Sequence, residues 1–156
     1  MEQKKNRSVA INRKARHDYF IIETIECGIV LTGTEIKSIR EGRVNIKDSY
    51  AKFEDGELWL MNAHISPYEK ASWYQHTARR NRKLLLHRQE LRRLNAKVKE
   101  KGFTLVPLSL YLKGGRLAKV ELALAKGKTT RDRRDAMLER DAKRSIAREM
   151  RNRLHG

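Results

Sequence analysis

A single cysteine stands among the 156 residues, so no internal disulfide can staple the fold. Cys27 lies in an apolar run, a place that suits a small buried residue better than a reactive thiol. No stretch approaches the ~18 consecutive apolar residues of a membrane span, and the opening MEQKKNRSVAINRKARHDYF is charged without the apolar centre of a signal peptide. The expectation is a soluble protein of the reducing cytoplasm. Negative charge is scarce as well: 36 Lys and Arg face 19 Asp and Glu, a formal net charge of +17. A chain with that excess sits in its own positive field unless a polyanion neutralises it, which makes nucleic acid the first partner to consider.

The usual signatures of catalysis are missing too. His17, His64, His76, His87 and Cys27 are far apart and show none of the CxxC or HxxxH spacing that zinc wants, so no metal or other cofactor is expected. No GxSxG, GxxxxGK[ST] or GxGxxG occurs, which leaves neither a nucleophile elbow nor a nucleotide cradle. The densest carboxylates, Glu54, Asp55 and Glu57, read as a solvated hairpin tip. The chain is expected not to be an enzyme. It has no internal repeat or low-complexity tract.

What is present divides into three parts: a basic arm over residues 1–16, a folded body over 17–125 and a basic tail over 126–156. The arm has six Lys and Arg against one Glu and no hydrophobic period, and is expected to stay loose until bound. HDYFIIETIECGIVL is rich in β-branched and aromatic residues and reads as a strand from His17 to Leu31, with a bulge or bend at Gly28. GTEIKSIREGR changes period. Ile36 and Ile39 predict a short helix capped by Thr34 and closed by Gly42, with Lys37 and Arg40 on a shared outer side. Asp55-Gly56 joins two alternating segments as a type I′ hairpin, and SPYEKASWYQHTARRNRK after it reads as a long loop. LLLH leads into a second helix with a Leu91, Leu94, Val98 stripe and a stop at Gly102.

Two more strands, FTLVPLSLYL and RLAKVELALA, meet at Gly114-Gly115; Pro107 cannot donate to a ladder and places its strand at an edge or a bulge. In the second, Ala118, Val120, Leu122 and Leu124 alternate with Lys119, Glu121 and Ala123, a sheet with one wet face. Five or six strands with two or three short helices fit a mainly β fold. The expected form is a small OB-like antiparallel β-barrel, because closure removes exposed edges.

RNA is gripped by cations on phosphate and by flat side chains stacked on bare bases, and the chain interleaves the two at RKARHDYF and at YEKASWYQHTARRNRK. Tyr19, Tyr50 and Phe53 read more readily as core aromatics, since strand aromatics are more often buried. Trp73 and Tyr74, in a loop, balance between the two roles.

In order and spacing, NRKARHDYFI, GTEIKSIREGR, NIKDSY, RKLLLH and LSLYLKGGRLAKVELALAKGK resemble the SsrA-binding proteins, also called small protein B. The resemblance runs from about Asn12 into the tail. It implies an RNA-binding adaptor with an OB-like barrel that binds the tRNA-like domain of transfer-messenger RNA and brings it to stalled ribosomes for trans-translation. By position it implies an RNA-facing surface of Asn12, Arg13, Lys14, Arg16, His17, Tyr19, Glu26, Lys37, Arg40, Lys83, Leu85 and His87, the last a position where some members carry Asn. An Asn can donate and accept toward a nucleotide, Lys37 and Arg40 can straddle phosphates, and His87 can stack or donate. Glu26 could accept from a base amino group or a ribose hydroxyl, or orient a neighbouring Arg; Leu85 could be a core residue acting indirectly.

The tail follows the same resemblance, which implies contact with the decoding region and the empty mRNA channel through Lys126, Gly127, Lys128, Arg131, Asp132, Arg133, Arg134, Arg140, Lys143, Arg144, Ile146 and Met150. Asp132-Arg133-Arg134 stands where the family has a DKR-like element, with Arg for the usual Lys; the charge is kept and the geometry becomes a planar fork. Leu138, Ala142, Ile146, Met150 and Leu154 repeat every four residues beside Arg140, Arg144 and Arg148, so the segment can form an amphipathic helix. Its thin apolar row predicts disorder in the free protein and a helix on a polyanion, with a helix docked on the body as the competing picture. Two other functions compete: a structural ribosomal or general RNA-binding protein, and a membrane-surface protein, the latter weakened by the lack of Trp and Phe in the tail. No interface stripe is evident, and a monomer is expected.

Overall fold

The computed structural model describes residues 6–71, 73–100 and 102–155. In chain order the elements are β1 (Arg7–Ile11), α1 (Arg13–Asp18), β2 (Tyr19–Ile29), α2 (Gly33–Arg40), β3 (Val44–Asn45), β4 (Tyr50–Glu54), β5 (Glu57–Met61), β6 (His64–Ile65), β7 (Arg82–Leu85), α3 (Arg88–Val98), β8 (Phe103–Lys113), β9 (Leu117–Gly127) and α4 (Thr130–His155). Six antiparallel strands, β8, β4, β5, β7, β2 and β9, pair in that order, and β9 pairs back with β8 to close a ring. The mainly β, closed antiparallel architecture expected from the alternating segments is what forms. Nine strands and four helices stand among the described residues, more than the expected five or six strands and two or three helices, because β1, α1 and the short β3–β6 pair lack a readable period.

The ring encloses one apolar core. Leu58, Leu60, Leu84, Leu105, Leu110, Leu112, Val120, Leu122 and Leu124 line it, each at most 2% exposed; Ala118, Val120, Leu122 and Leu124 face it as predicted, but Ala123, expected on the wet face, is buried on the outer side of the sheet. Cys27 is buried among them, and loss of solvation pushes its thiol up to about 12, which leaves it protonated and inert. Two helices stop the ends of the ring. α2 inserts Ile39 and borders a cleft with Leu112, Arg116 and Ala118 near the β8–β9 turn; α3 inserts Leu94, and its Val98 borders a cleft with Phe103 and Thr104 at the opposite end.

Local chemistry explains most boundaries. Asp55 (φ 51°) and Gly56 (φ 78°) both adopt the left-handed conformation of a type I′ turn, so the hairpin is as expected. Gly42 ends α2 with a φ of 76°. The cap of α2 is Thr32 rather than Thr34: the Thr32 hydroxyl accepts from the Glu35 N–H, and the Glu35 carboxylate accepts from the Thr32 N–H at 2.8 Å. A cap is chosen by its reciprocal partner three residues on, and Thr34 has none. The β8–β9 register shifts between Pro107 and Ser109, the bulge that a residue without an N–H requires. The bulge of β2 lies at Ile21 to Glu23, not at Gly28; a Cβ on Gly28 would stand 3.2 Å from that of Leu85, so the glycine allows close strand approach instead.

The basic run of residues 1–16 is not a loose arm over its described part. β1 pairs with Leu112 to Ser109 of β8, taking the edge on which β4 forms a ladder pair only at Leu105. α1 then lays Ala15 on Val106, Leu108, Ala123 and Ala125, a second small core on the outside of the ring. α1 also runs through His17, so β2 begins at Tyr19. Residues 1–5 lie outside the described residues. At the other end β9 continues through Gly127, and α4 follows as one helix of 26 residues with no buried side chain described. No helix among the described residues is long and apolar enough to cross a membrane.

Candidate nucleic-acid interface

The expected site residues fall into three groups, two on the outer wall of the ring and one on its cap. The first surrounds α1. Asn12 is buried where β1 passes into the helix: its N–H donates to the Leu108 carbonyl at 2.8 Å, and its Nδ2 donates to the Pro107 carbonyl at 3.0 Å. Its Oδ1 is buried without a partner among the described residues and so keeps an unused acceptor. Arg13 and Arg16 are exposed and border a cleft of about 370 Å³ with Ser109 and Glu121. Lys14 reaches Asp18 at 4.0 Å and Asp48 at 3.9 Å across a second cleft of about 280 Å³, which Asn12, Tyr19 and Tyr50 also line. Nδ1 of His17 lies 3.0 Å from Asp18 Oδ1. That hydrogen bond, with Arg133 and Lys14 nearby, holds the Asp18 carboxyl below its ordinary range despite partial burial.

The second group lies where β2 meets β7. Gly28 pairs with Leu85; Glu26 lies two residues before Gly28 along β2, and His87 two residues after Leu85, beyond the end of β7. Leu85 is 49% exposed, so it belongs to the surface rather than the core. The alternative of a core position fails because its outward-facing register leaves Leu84 to fill the ring. His87 occupies the N-cap position of α3, but its side chain makes no capping bond and remains exposed. Lys83, on the same strand, pairs with Glu57 at 3.0 Å. Glu26 does not orient an arginine: it accepts from the Tyr111 hydroxyl and, at 3.0 Å, from Lys113 Nζ. Tyr111 and then Lys113 hold the Glu26 carboxyl low, and burial with that carboxylate pushes the Tyr111 phenol far up. Glu26 is thus a fixed anion on a basic surface, able to accept from a base amino group or a ribose hydroxyl.

The third group, Lys37 and Arg40, is exposed on α2, with Lys37 Nζ 5.3 Å from the Tyr68 ring centre. The helix is locked from beneath. Glu35, fully buried, accepts from Arg80 at 2.5 Å and from the fully buried Arg82, whose other nitrogens donate to the Ala63 and Ala78 carbonyls at 2.8 and 2.9 Å. Burial pushes the Glu35 carboxyl up, but Arg80, the Thr32 N–H and Arg82 together outweigh it and leave it below the ordinary value. Burial also draws the Arg82 guanidinium down, against Glu35.

The tail begins at the first group. Lys126 and Gly127 end β9; the Lys128 N–H donates to the Asp18 carbonyl at 2.9 Å, its Nζ donates to the Arg16 carbonyl at 3.1 Å, and it covers the Phe20 ring at 5.1 Å. Asp132 has a structural part in this arrangement: its carboxylate accepts from the Thr129 N–H at 3.1 Å and hydroxyl at 2.8 Å, which caps α4 and holds its carboxyl low. Arg133 turns toward Asp18 at 4.0 Å, while Arg131, Arg134, Arg140, Lys143, Arg144, Ile146 and Met150 face solvent. The exposed basic row is interrupted only by weak pairs such as Lys143 with Glu139 at 3.4 Å. Among the described residues no group of His, Cys, Asp or Glu is arranged to hold a metal ion.

The chain thus presents a basic surface that carries a fixed acid, and comparison with known proteins gives it a family. The model described as SmpB protein matches residues 9–152. The chain belongs to the SmpB family. An SsrA-binding protein of Symbiobacterium thermophilum is 59% identical over 145 residues, covering 93% of this chain and 92% of that one. Another, of Geobacillus thermodenitrificans, is 57% identical over 153 residues and covers 98% of each chain. A solved chain from a structure described as "tmRNA-SmpB: a journey to the center of the bacterial ribosome" is 54% identical, superposes with a TM-score of 0.65, and covers 81% of this chain and 92% of that chain. Every site residue from Asn12 to Met150 falls inside the SmpB match. Sequence reasoning missed Asp18, Tyr111 and Lys113. The last two are separated by one residue on a strand, so period-two alternation could have placed them on one face, but not opposite Glu26.

Proposed function

We propose that this chain is an RNA-binding adaptor that holds the tRNA-like domain of transfer-messenger RNA and brings it to stalled ribosomes for trans-translation. The observation that carries the reading is the SmpB match over residues 9–152, joined to relatives named SsrA-binding protein and to a 54% identical chain from a tmRNA-SmpB structure. Structurally, the outer face of the ring supports it. In this reading Arg13, Lys14, Arg16 and His17 take phosphates beside the free acceptor of Asn12, with Tyr19 at the edge. Glu26 accepts from a base or ribose, Leu85 packs on an exposed sugar or base, and His87 and Lys83 flank it. Lys37 and Arg40 carry the phosphate path onto the cap.

The tail acts separately. Arg131, Arg133, Arg134, Arg140, Lys143 and Arg144 face the RNA of the decoding region and empty mRNA channel, with Ile146 and Met150 as apolar contacts. Lys126, Gly127 and Lys128 set its departure from the body, and Asp132 starts the helix. The exposure of Leu138, Ile146, Met150 and Leu154, 56–82%, supports a helix that draws its stability from a partner. Amide exchange on the free protein tests this: strong protection from Leu138 to Met150 would remove it.

Binding to a tRNA-like RNA should weaken as salt rises, with a log–log slope of about −0.7 to −0.9 per phosphate contacted. Equal affinity for duplex DNA would count against the adaptor. Deleting residues 126–156 separates the reading from a general RNA-binding or structural ribosomal protein: RNA affinity should persist while peptide tagging on stalled ribosomes is lost.

A further inference from the structure

The loop from Tyr68 to Asn81 contains two large aromatics that the fold does not use. Trp73 is 98% exposed and Tyr74 68% exposed, beside the buried His76. An indole held in water contributes nothing to the core, and its neighbours are far from loose. Gln75 clasps the loop base in both directions, its Oε1 accepting from the Tyr68 N–H at 3.1 Å and its Nε2 donating to the Tyr68 carbonyl at 2.9 Å. One His76 ring nitrogen lies 2.9 Å from the Thr34 hydroxyl and the other 2.9 Å from the Ile65 carbonyl.

Further contacts press the loop along α2. Arg80 reaches Glu35 at 2.5 Å, Glu69 meets Arg43 at 3.2 Å, and the Tyr68 ring lies under Lys37. The result is a stapled loop with its aromatics turned outward, next to a helix whose outer side carries Lys37 and Arg40. Lys70 and Arg79 add exposed cations on the loop itself, and Glu69, its one acid, is already paired.

We infer that Trp73 and Tyr74 form a stacking platform for unpaired nucleobases of the RNA that the body binds, with Lys70, Arg79, Lys37 and Arg40 taking the adjoining phosphates. The inference rests on the RNA-binding reading above. Charge chooses the occupant: an apolar protein surface would gain nothing from four exposed cations, whereas a single-stranded segment supplies flat faces for the rings and phosphates for the cations. Stacking tolerates any base, so the platform adds affinity for unpaired nucleotides with little sequence preference.

The test uses the full chain and a tRNA-like RNA with its loops intact. The chain has two tryptophans, so Trp59→Phe leaves Trp73 as the only indole. Its fluorescence should be quenched as RNA binds, and Trp73→Ala in the wild-type background should weaken binding about fivefold to a hundredfold. Trp73→Phe should recover part of the loss, since a ring remains. Both variants alter an exposed side chain and should leave the circular dichroism unchanged. RNA binding with full affinity in Trp73→Ala and unaltered Trp73 emission would overturn the platform and leave the adaptor standing. Quenching only when ribosomes or another protein are added would overturn it in favour of that partner. Loss of RNA binding by every form, wild type included, would remove the adaptor reading itself, and the platform with it.

Discussion

Ring and tail are both basic, yet their charges are held in different ways. The first 125 residues carry 25 Lys and Arg against 14 Asp and Glu, and the last 31 carry 11 against 5. In the body, key charges are fixed by partners far away in sequence: Glu35 by Arg80 and Arg82, Glu26 by Tyr111 and Lys113. In α4 the partners are local or absent, and beyond the Asp18 contacts the helix projects its cations into solvent. Preorganised charge suits a surface that must recognise one RNA fold. Unpaired charge on a helix with a bare apolar row suits a segment that takes its order from whatever it enters.

The largest expected effect breaks the body's side of this contrast. Glu35→Gln leaves Arg82 buried without its counterion and should cost about 3–5 kcal/mol in urea unfolding. The same group sets a pH dependence. Its folded pKa lies below the ordinary value of 4.5, so its contribution is full above that value and is lost as pH falls through the folded pKa. Thermal stability measured along an acid titration should therefore decline on the acid side in wild type, and less steeply in Glu35→Gln.

Next comes a matched pair of helix truncations. Leu94→Ala, in the helix that stops the ring, removes a fully buried side chain and should cost about 2–5 kcal/mol, whereas Ile146→Ala in the tail should change unfolding by less than about 0.5 kcal/mol. A large loss from Ile146→Ala would mean that α4 docks on the body. Smaller again is the cap comparison. Thr32→Ala removes the reciprocal cap of α2 and should cost about 1 kcal/mol, while Thr129→Ala should leave the melting of the body where it is and only reduce helix content in the tail. Circular dichroism on the full chain reads both. The subtlest variant is Tyr111→Phe, which keeps the fold but frees Glu26; RNA affinity should fall about fivefold to tenfold if a fixed carboxylate matters, and stay put if only its charge does.

Much of the ring was legible because its signals are local. The Asp55-Gly56 turn, the alternation from Ala118 to Leu124, the apolar stripe of α3 and the Gly42 stop each follow from a few neighbouring residues and a known period. β1 and α1 were not legible, since a basic run with no hydrophobic period gains its structure from the free edge of β8 and from the small residues on the outer wall. The site divides in the same way. The family resemblance implied the candidate residues, but that Leu85 points outward depends on its register with Gly28, and that Asp132 caps α4 depends on Thr129.

By itself the sequence determined the charge excess, the mainly β pattern, the absence of catalytic spacing and the helical period of the tail. All of these are properties of composition and short spacing. Only the tertiary structure decided that Glu26 is clamped by residues 85 and 87 positions away, that Asn12 retains an unsatisfied acceptor, and that a stapled loop holds Trp73 in solvent. The physical reason is shared by all three: ring closure and the contacts that follow from it set the partners and the exposure of groups that no local period connects.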